Sequence, residues 1–169
     1  MRLRAFVIDS LVTAAAGLIA THLTNTVQAV LARLMPADAQ RREEEAALPL
    51  DPSQMAARRA AGLLGIDLRG KALENGGWVV HYATGLGWTP VYVLLRRYGR
   101  LHPGGAALVC GGAMALLLDE GLVPALGLAR GPQAYPWETH ARGLVTHLAF
   151  GVLVAAAVEL LWTGSRRWR

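Results

Sequence analysis

The chain has 169 residues, of which 53% are apolar and only 17% are charged, a low charged share for a one-domain soluble protein. The net charge of +5 does not indicate a nucleic-acid-binding protein, because the arginines gather beside apolar segments and form no basic face. The single cysteine, Cys110, excludes an intramolecular disulfide and a metal site built from several cysteines.

Four apolar stretches predict membrane-spanning helices. Residues 10–32 and 76–95 contain no Lys, Arg, Asp or Glu, and residues 101–118 and 143–158 are shorter stretches of the same kind. About 20 such residues cross a bilayer core of roughly 30 Å, a length that the two shorter stretches reach only by including a carboxylate. We therefore predict an all-α fold, an integral membrane four-helix bundle that forms one domain. The predicted spans cover about residues 6–34, 72–95, 104–122 and 142–162.

A soluble bundle of four very apolar helices is the alternative to this prediction. Leu, Val, Ala and Gly occupy every face of the predicted helices, whereas a soluble bundle needs polar residues on its outward faces. The distribution of residues around the helices therefore favours the membrane.

An extramembrane connector over about residues 35–71 follows the first predicted span, which ends at Pro36. Its first part, residues 38–45, is charged, and we expect it to be solvated. Asp51 followed by Pro52 is typical of an N-cap and a first helical position, and predicts a short helix over about residues 53–64. Two placements of this helix remain open: on the membrane surface, or packed as an ordinary connector.

The positions of the arginines predict the orientation in the membrane. They flank the apolar stretches at both chain ends and in the turn between the second and third spans. Because positive residues collect on the cytoplasmic side, both termini and this turn are predicted to be cytoplasmic. We expect Trp162 and Trp168 to lie at the headgroup interface. The arginines concerned are Arg2, Arg4, Arg96, Arg97, Arg100, Arg166, Arg167 and Arg169.

The same phrase, a histidine followed four residues later by a glycine, occurs in the second and fourth predicted spans. It reads His81-Tyr-Ala-Thr-Gly85 in one and His147-Leu-Ala-Phe-Gly151 in the other. This spacing puts both residues on one helix face, where the glycine lets a neighbouring backbone approach beside the imidazole. An ionisable side chain within a span is a functional candidate by default. The repetition also suggests two similar helical hairpins.

The candidate polar residues fall at one depth when the predicted spans are packed antiparallel. At about 1.5 Å per residue, the polar residues of each span lie a similar distance from the same membrane face. Asp119 and Glu120 are adjacent and so point about 100° apart, which leaves open which of them faces the bundle interior. The predicted layer consists of His22, Asn25, His81, Asp119, Glu120 and His147.

Three interpretations of this layer remain open. The polar residues could only lock the helices together, since a buried polar group needs a partner. They could bind a ligand or ion, with His81, His147 and Asp119 as metal ligands or the two histidines as axial ligands of a haem. They could move a proton or a solute, which would require an oligomer to form a path.

The function hypotheses follow from these interpretations. The first is a non-enzymatic membrane protein whose cluster binds a proton, a metal or a small ligand. The second is an accessory or structural subunit whose polar layer fixes helix packing and partner contacts. An enzyme ranks third, because the sequence contains no nucleophile–base pair, phosphate loop or HExxH motif. The predicted partners are the lipid bilayer and a second copy or a membrane-complex subunit, without nucleic acid.

Several short motifs between residues 75 and 160 resemble the YagU-like family of uncharacterised small bacterial inner-membrane proteins. This resemblance implies a multi-span protein of the bacterial inner membrane and adds His140 to the candidate ligand or proton-site residues. It brings no established activity. The motifs are His81-Tyr82 with Gly85, Asp119-Glu120 followed by residues 124–128, residues 135–137 with His140, and His147 with Gly151.

Overall fold

The computed structural model describes residues 2–166, and side chains are described for residues 7–164. Within these bounds the chain forms six helices and no strand. The interfacial position predicted for Trp168, Arg167 and Arg169 lies outside the described residues. The helices are α1 (Arg2–Arg33), α2 (Ala37–Ala46), α3 (Pro52–Gly62), α4 (Gly70–Arg97), α5 (Pro103–Ala125) and α6 (Trp137–Arg166).

Three helices of the described chain are long and apolar enough to cross a membrane: Val7–Arg33 in α1, Pro103–Ala125 as the whole of α5, and Trp137–Gly164 in α6. Only 33% of the most apolar window of each is buried within the chain. The outward faces carry exposed large apolar side chains such as Leu11 and Leu160. Such faces suit contact with lipid, so the fold is consistent with a membrane protein.

The helix α4 is not among these three, although the second predicted span falls on it. A segment without charges is not sufficient for a span when polar and small residues lower its mean hydropathy. The two stretches expected to be weaker do qualify, because α5 and α6 extend beyond the segments without charge. The polar or helix-disturbing residues within α4 are His81, Tyr82, Thr84, Thr89 and Pro90.

The long helices pack through small residues. The helix α1 packs most extensively against α6 and also contacts α4, while α5 packs against α6. The residues Ala16 and Ala20 of α1 and Cys110 of α5 are fully buried, together with the larger Tyr92 of α4 and Val154 of α6. Small side chains at these contacts let the helix backbones approach closely, as is usual between membrane helices.

The second half of α5, Met114–Leu122, is π-helical. Its geometry is visible in the hydrogen bond from the Val123 amide to the Leu118 carbonyl, which spans five residues. The cause lies one residue further on, because Pro124 has no N–H to donate and its ring would clash with the Glu120 carbonyl in an α-helix. The wider turn relieves this clash and changes the directions of the neighbouring side chains.

The connector contains a helix, α2, in the charged segment that was expected to be solvated. Its Ala39 and Ala46 are buried, and Glu43 makes a bidentate ion pair with Arg142 of α6, with N···O distances of 3.0 and 2.5 Å. The isolated charge pattern did not reveal this partner, which lies far away in the sequence. The segment is therefore docked on α6 through its Glu43 face.

The predicted connector helix is present as α3. The Asp51 side chain caps it by accepting hydrogen bonds of 2.9 and 3.0 Å from the backbone amides of Ser53 and Gln54. The helix packs on α4, where Gln54 lies directly against Gly77. Of the two placements left open by the sequence, this contact supports the packed connector.

Candidate functional site

The first repeated phrase lies where α4 crosses α1. A Cβ at Gly85 would overlap the Thr21 hydroxyl, and a Cβ at Gly17 would lie 2.7 Å from Oγ1 of Thr89. The glycine of this phrase does permit a close helix contact, but the group that approaches it is the Thr21 side chain and not the predicted backbone. His81 stands one turn before this contact, on the same face of α4.

The second phrase lies where α6 crosses α5, and the contact there is between backbones. A Cβ at Gly111 would overlap the carbonyl oxygen of His147, and one at Gly151 would overlap the carbonyl oxygen of Ala107. The predicted approach of a neighbouring backbone to the glycine of the phrase is confirmed at this crossing. Both histidines are thus anchored at helix contacts that leave little room for adjustment.

Uncharged partners surround the histidines between α1 and α4. The Nε2 atom of His81 lies 2.8 Å from Oδ1 of Asn25, and the Tyr82 hydroxyl lies 3.2 Å from Nδ1 of His22. The rings of Trp78 and Tyr82 both stand edge-on to His81, with centroid distances of 5.7 Å. This half of the predicted layer forms two hydrogen-bonded pairs without a carboxylate.

Carboxylates occupy the corresponding positions between α5 and α6. The Nε2 atom of His147 lies 2.6 Å from Oδ2 of Asp119. The other ring nitrogen of His147, Nδ1, is buried and has no hydrogen-bond partner among the described residues. With Asp119 ionised, the Nε2 proton lies in the short bond, and Nδ1 is left with a free lone pair.

The pair formed by His140 and Glu120 is bonded differently. The Nδ1 atom of His140 lies 2.6 Å from Oε1 of Glu120, and the Nε2 atom of His140 lies 3.1 Å from the Pro132 carbonyl oxygen. The carbonyl can only accept, so Nε2 carries a proton, and the bond to Glu120 contains a second one. A neutral imidazole beside an ionised carboxylate would hold one proton. The pair of His140 and Glu120 therefore holds two.

Both adjacent acidic residues bond to histidines of α6, although the Asp119 side chain is also 42% exposed. His140 and His147 are seven residues apart and therefore lie on one face of α6, two turns from each other. The π-helical turns of α5 direct Asp119 to the deeper histidine and Glu120 to the other. Sequence reasoning missed this because the π-helix was not predicted.

The polar layer is divided into pairs and does not form one cluster. Among the described residues no group of three or more His, Cys, Asp or Glu side chains could hold a metal ion. The metal set of His81, His147 and Asp119 is therefore not assembled. The Nε2 atoms that a haem would need from the two histidines already bond to Asn25 and Asp119.

Two further networks at the opposite end were not predicted. Glu159 accepts hydrogen bonds from Tyr92 at 3.0 Å and from Arg96 at 2.5 Å. The sequence did contain a signal for such pairs. Asp9 and Glu159 interrupt apolar helices, and arginines that could pair with them stand at the end of α4. In the second network Asp9 accepts from Arg97 at 2.5 Å and from Trp162 at 3.1 Å.

Comparison with known proteins gives no match to a family model, a curated protein or a solved structure. The likeness to the YagU-like proteins therefore rests on the short motifs alone and stays a prediction.

Proposed function

We propose that this chain is an integral membrane four-helix bundle whose paired histidines and carboxylates bind and release protons. In this proposal α4 is the fourth spanning helix. It packs against α1, and the connector helix α3 covers its N-terminal half. The proposed role is non-enzymatic, and the ligand of the proposed site is a proton. The motif resemblance to the YagU-like proteins supports the same general class of membrane protein.

The observation that carries the proposal is the free Nδ1 atom of His147. This lone pair is buried beside a short His147–Asp119 bond and has no competing donor among the described side chains. A proton added at Nδ1 converts the neutral imidazole to an imidazolium, and the Asp119 carboxylate stabilises that charge across 2.6 Å. The proton leaves from the same atom, so no covalent bond between heavy atoms changes.

The fold provides an internal comparison for this site. His81 also bonds through Nε2, but its partner is the neutral amide of Asn25. An amide stabilises an imidazolium less than a carboxylate does, because it carries no net charge. We therefore assign the reversible proton to His147 and a packing role to His81, while His140 with Glu120 holds a proton already in place.

The proposal is tested by NMR of isotope-labelled histidine in lipid nanodiscs. We expect the Nδ1 signal of His147 to change from that of an unprotonated to that of a protonated ring nitrogen when the sample is acidified. Asp119→Asn should weaken this proton binding, because the imidazolium loses its counter-charge. Asn25→Asp should give His81 proton binding of the same kind. A His147 signal that stays constant on acidification of the folded wild type would overturn the proposal.

An accessory subunit with a purely structural polar layer is the second candidate. It is favoured by the fact that the pairs join different helices, α1 to α4 and α5 to α6. In that case Asp119→Asn and His147→Gln would each reduce the folded fraction strongly, and the His147 ring would keep one protonation state while the fold persists. The same NMR samples therefore distinguish the two functions.

We also propose a bacterial inner-membrane location with both termini in the cytoplasm. This orientation is supported by the cluster of Arg96 and Arg97 with Asp9, which lies near the start of α1. Because Cys110 is buried, new cysteines can be labelled selectively. A cysteine replacing Tyr98 should react only from the cytoplasmic side and one replacing Leu64 only from the outside. Reversed labelling would contradict the orientation.

The expected partners are the lipid bilayer and a second copy or another membrane subunit. The outward faces of α1, α5 and α6 are apolar and suit the first of these. A path for protons through the whole membrane would need additional copies, because the described pairs lie in one part of a small chain. Cross-linking in intact membranes, compared at several expression levels, would detect such an assembly.

A further inference from the structure

A cleft of about 520 Å³ lies between α1 and α4, outside the His147 pair. Its volume falls in the range of roughly 300 to 1,000 Å³ that is usual for small-molecule sites. The lining from α4 is aromatic, with Trp78 and Tyr82. The lining from α1 contains a cation, Arg33, and three polar side chains, His22, Asn25 and Thr26.

The cleft presents hydrogen-bond donors and one positive charge. Among the residues that the structure describes, no carboxylate lines it. The Arg33 guanidinium is exposed and makes no ion pair or hydrogen bond within the described chain. Asn25 uses Oδ1 toward His81, so its Nδ2 amide remains available, and His22 uses only Nδ1. This lining favours an anion or a ligand rich in acceptors.

Along this face of α1 the side chains change from cationic to polar to apolar. This is the order in which the phosphate, the ester carbonyls and the acyl chains of a phospholipid follow one another. Arg33 lies at the end of the helix, and its side chain leans back toward the preceding turns. The polar pair Asn25 and His22 follows, about 12 to 16 Å deeper at 1.5 Å per residue. On the same face further down, Leu18 is exposed. A phosphate, its ester carbonyls and an acyl chain require this succession.

We propose that the α1–α4 cleft binds one anionic phospholipid from the leaflet next to the C-terminal end of α1. The Arg33 guanidinium pairs with the phosphate, and the Asn25 amide donates to an ester carbonyl. One acyl chain lies along the exposed face at Leu18, and Trp78 closes the side of the cleft. The site does not depend on proton binding at His147.

Native mass spectrometry of the purified full chain tests this site. The protein is exchanged into micelles with equal amounts of phosphatidylglycerol and phosphatidylcholine that carry the same acyl chains. We expect preferential retention of phosphatidylglycerol, which Arg33→Gln lowers about fivefold, as the loss of one interfacial cation implies. Arg130→Gln is the matched control, because Arg130 is also exposed and outside the cleft.

Three results would overturn the proposal. Equal retention of the two lipids by the wild type would exclude a site for an anionic headgroup. Equal losses in Arg33→Gln and Arg130→Gln would indicate general charge attraction without a specific cleft. Displacement of the lipid by excess inorganic phosphate would show that the cleft selects the free anion. Lipid retention that persists in excess inorganic phosphate and depends on Arg33 supports the lipid site, whether or not His147 binds a proton.

Discussion

The backbone carbonyl of His147 lies directly against Gly111, at a distance that leaves no space for a side chain on the glycine. The histidine with the short bond to Asp119 is therefore held at a close backbone contact between α5 and α6. This relationship couples the position of the imidazole to the packing of two helices. Changes at the glycine should act on both the stability and the histidine site.

Gly111→Ala should destabilise the protein by about 1 to 3 kcal/mol, the usual cost of inserting a methyl group into a packed contact. The overlap is with backbone atoms of His147, which cannot rotate away. Unfolding in mixed micelles measures the free energy of unfolding. The neighbouring Gly112 has nothing within 4 Å of an added Cβ, so Gly112→Ala is the control. Equal effects of the two substitutions would contradict the assigned contact.

Gly85→Ala should be destabilising for a different reason, because the added methyl overlaps the Thr21 side chain and not the backbone. The Thr21 hydroxyl is buried without a partner among the described residues, so Thr21→Ala should cost little on its own. The double variant should then recover most of the stability lost by Gly85→Ala, a coupling of about 1 kcal/mol or more. Gly87→Ala, at an open position, serves as the reference. If the effects of Gly85→Ala and Thr21→Ala on stability were additive, the added methyl group would be accommodated by a separation of the two helices and not by the space at Thr21.

Part of this fold could be predicted from local sequence rules. The cap at Asp51 and the helix after it depend on neighbours within three residues, and the structure confirms both. The role of Gly85 and Gly151 also followed from a short phrase, because close helix contacts require a residue without a side chain. Local chemistry was sufficient in these cases.

The pairing of the site residues could not be predicted in the same way. Depth alone placed His81, His147 and the acidic residues in one layer, but it gave no rotation of the helices about their axes. The π-helical segment of α5 sets that rotation for Asp119 and Glu120, and it arises from a steric clash at Pro124. Partner choice depends on such rotations, so the division into pairs appeared only with the structure.

The docking of α2 on α6 gives a prediction about charge. Arg142 and Glu43 form a bidentate pair with side chains about one-fifth exposed, at 19% and 23%. Glu43→Arg or Arg142→Glu should each reduce the free energy of unfolding, because two like charges then meet in a half-buried contact. The double exchange should restore much of the loss. Protease sensitivity of the connector is the direct measurement.

The control for this pair is Arg41 with Glu45, which are 3.8 Å apart and largely exposed. Exchanging these two charges should change stability by less than about 1 kcal/mol, as is usual for surface pairs. If both exchanges had the same small effect, the contact between α2 and α6 would not contribute to the stability of the connector.

The end of α5 is held by the connector through Arg59. Its guanidinium donates to the carbonyls of Leu126 and Gly127, the latter at 2.9 Å. Gly127 has a φ of +63°, a conformation that ends the helix and leaves these carbonyls free to accept. The cation thus satisfies a helix C-terminus that lies shortly after the π-helical segment.

Arg59→Gln should therefore loosen the end of α5 and, through it, the Glu120 carboxylate. We expect faster amide exchange at Leu128, whose hydrogen bond to Val123 closes the helix end, with a local loss of about 1 kcal/mol. The adjacent and equally exposed Arg58 makes no such bond, so Arg58→Gln should leave the exchange rate unchanged. A histidine NMR signal of His140 that shifts only in Arg59→Gln would show that the connector positions the His140–Glu120 pair. Identical spectra in both variants would restrict the role of Arg59 to the helix end.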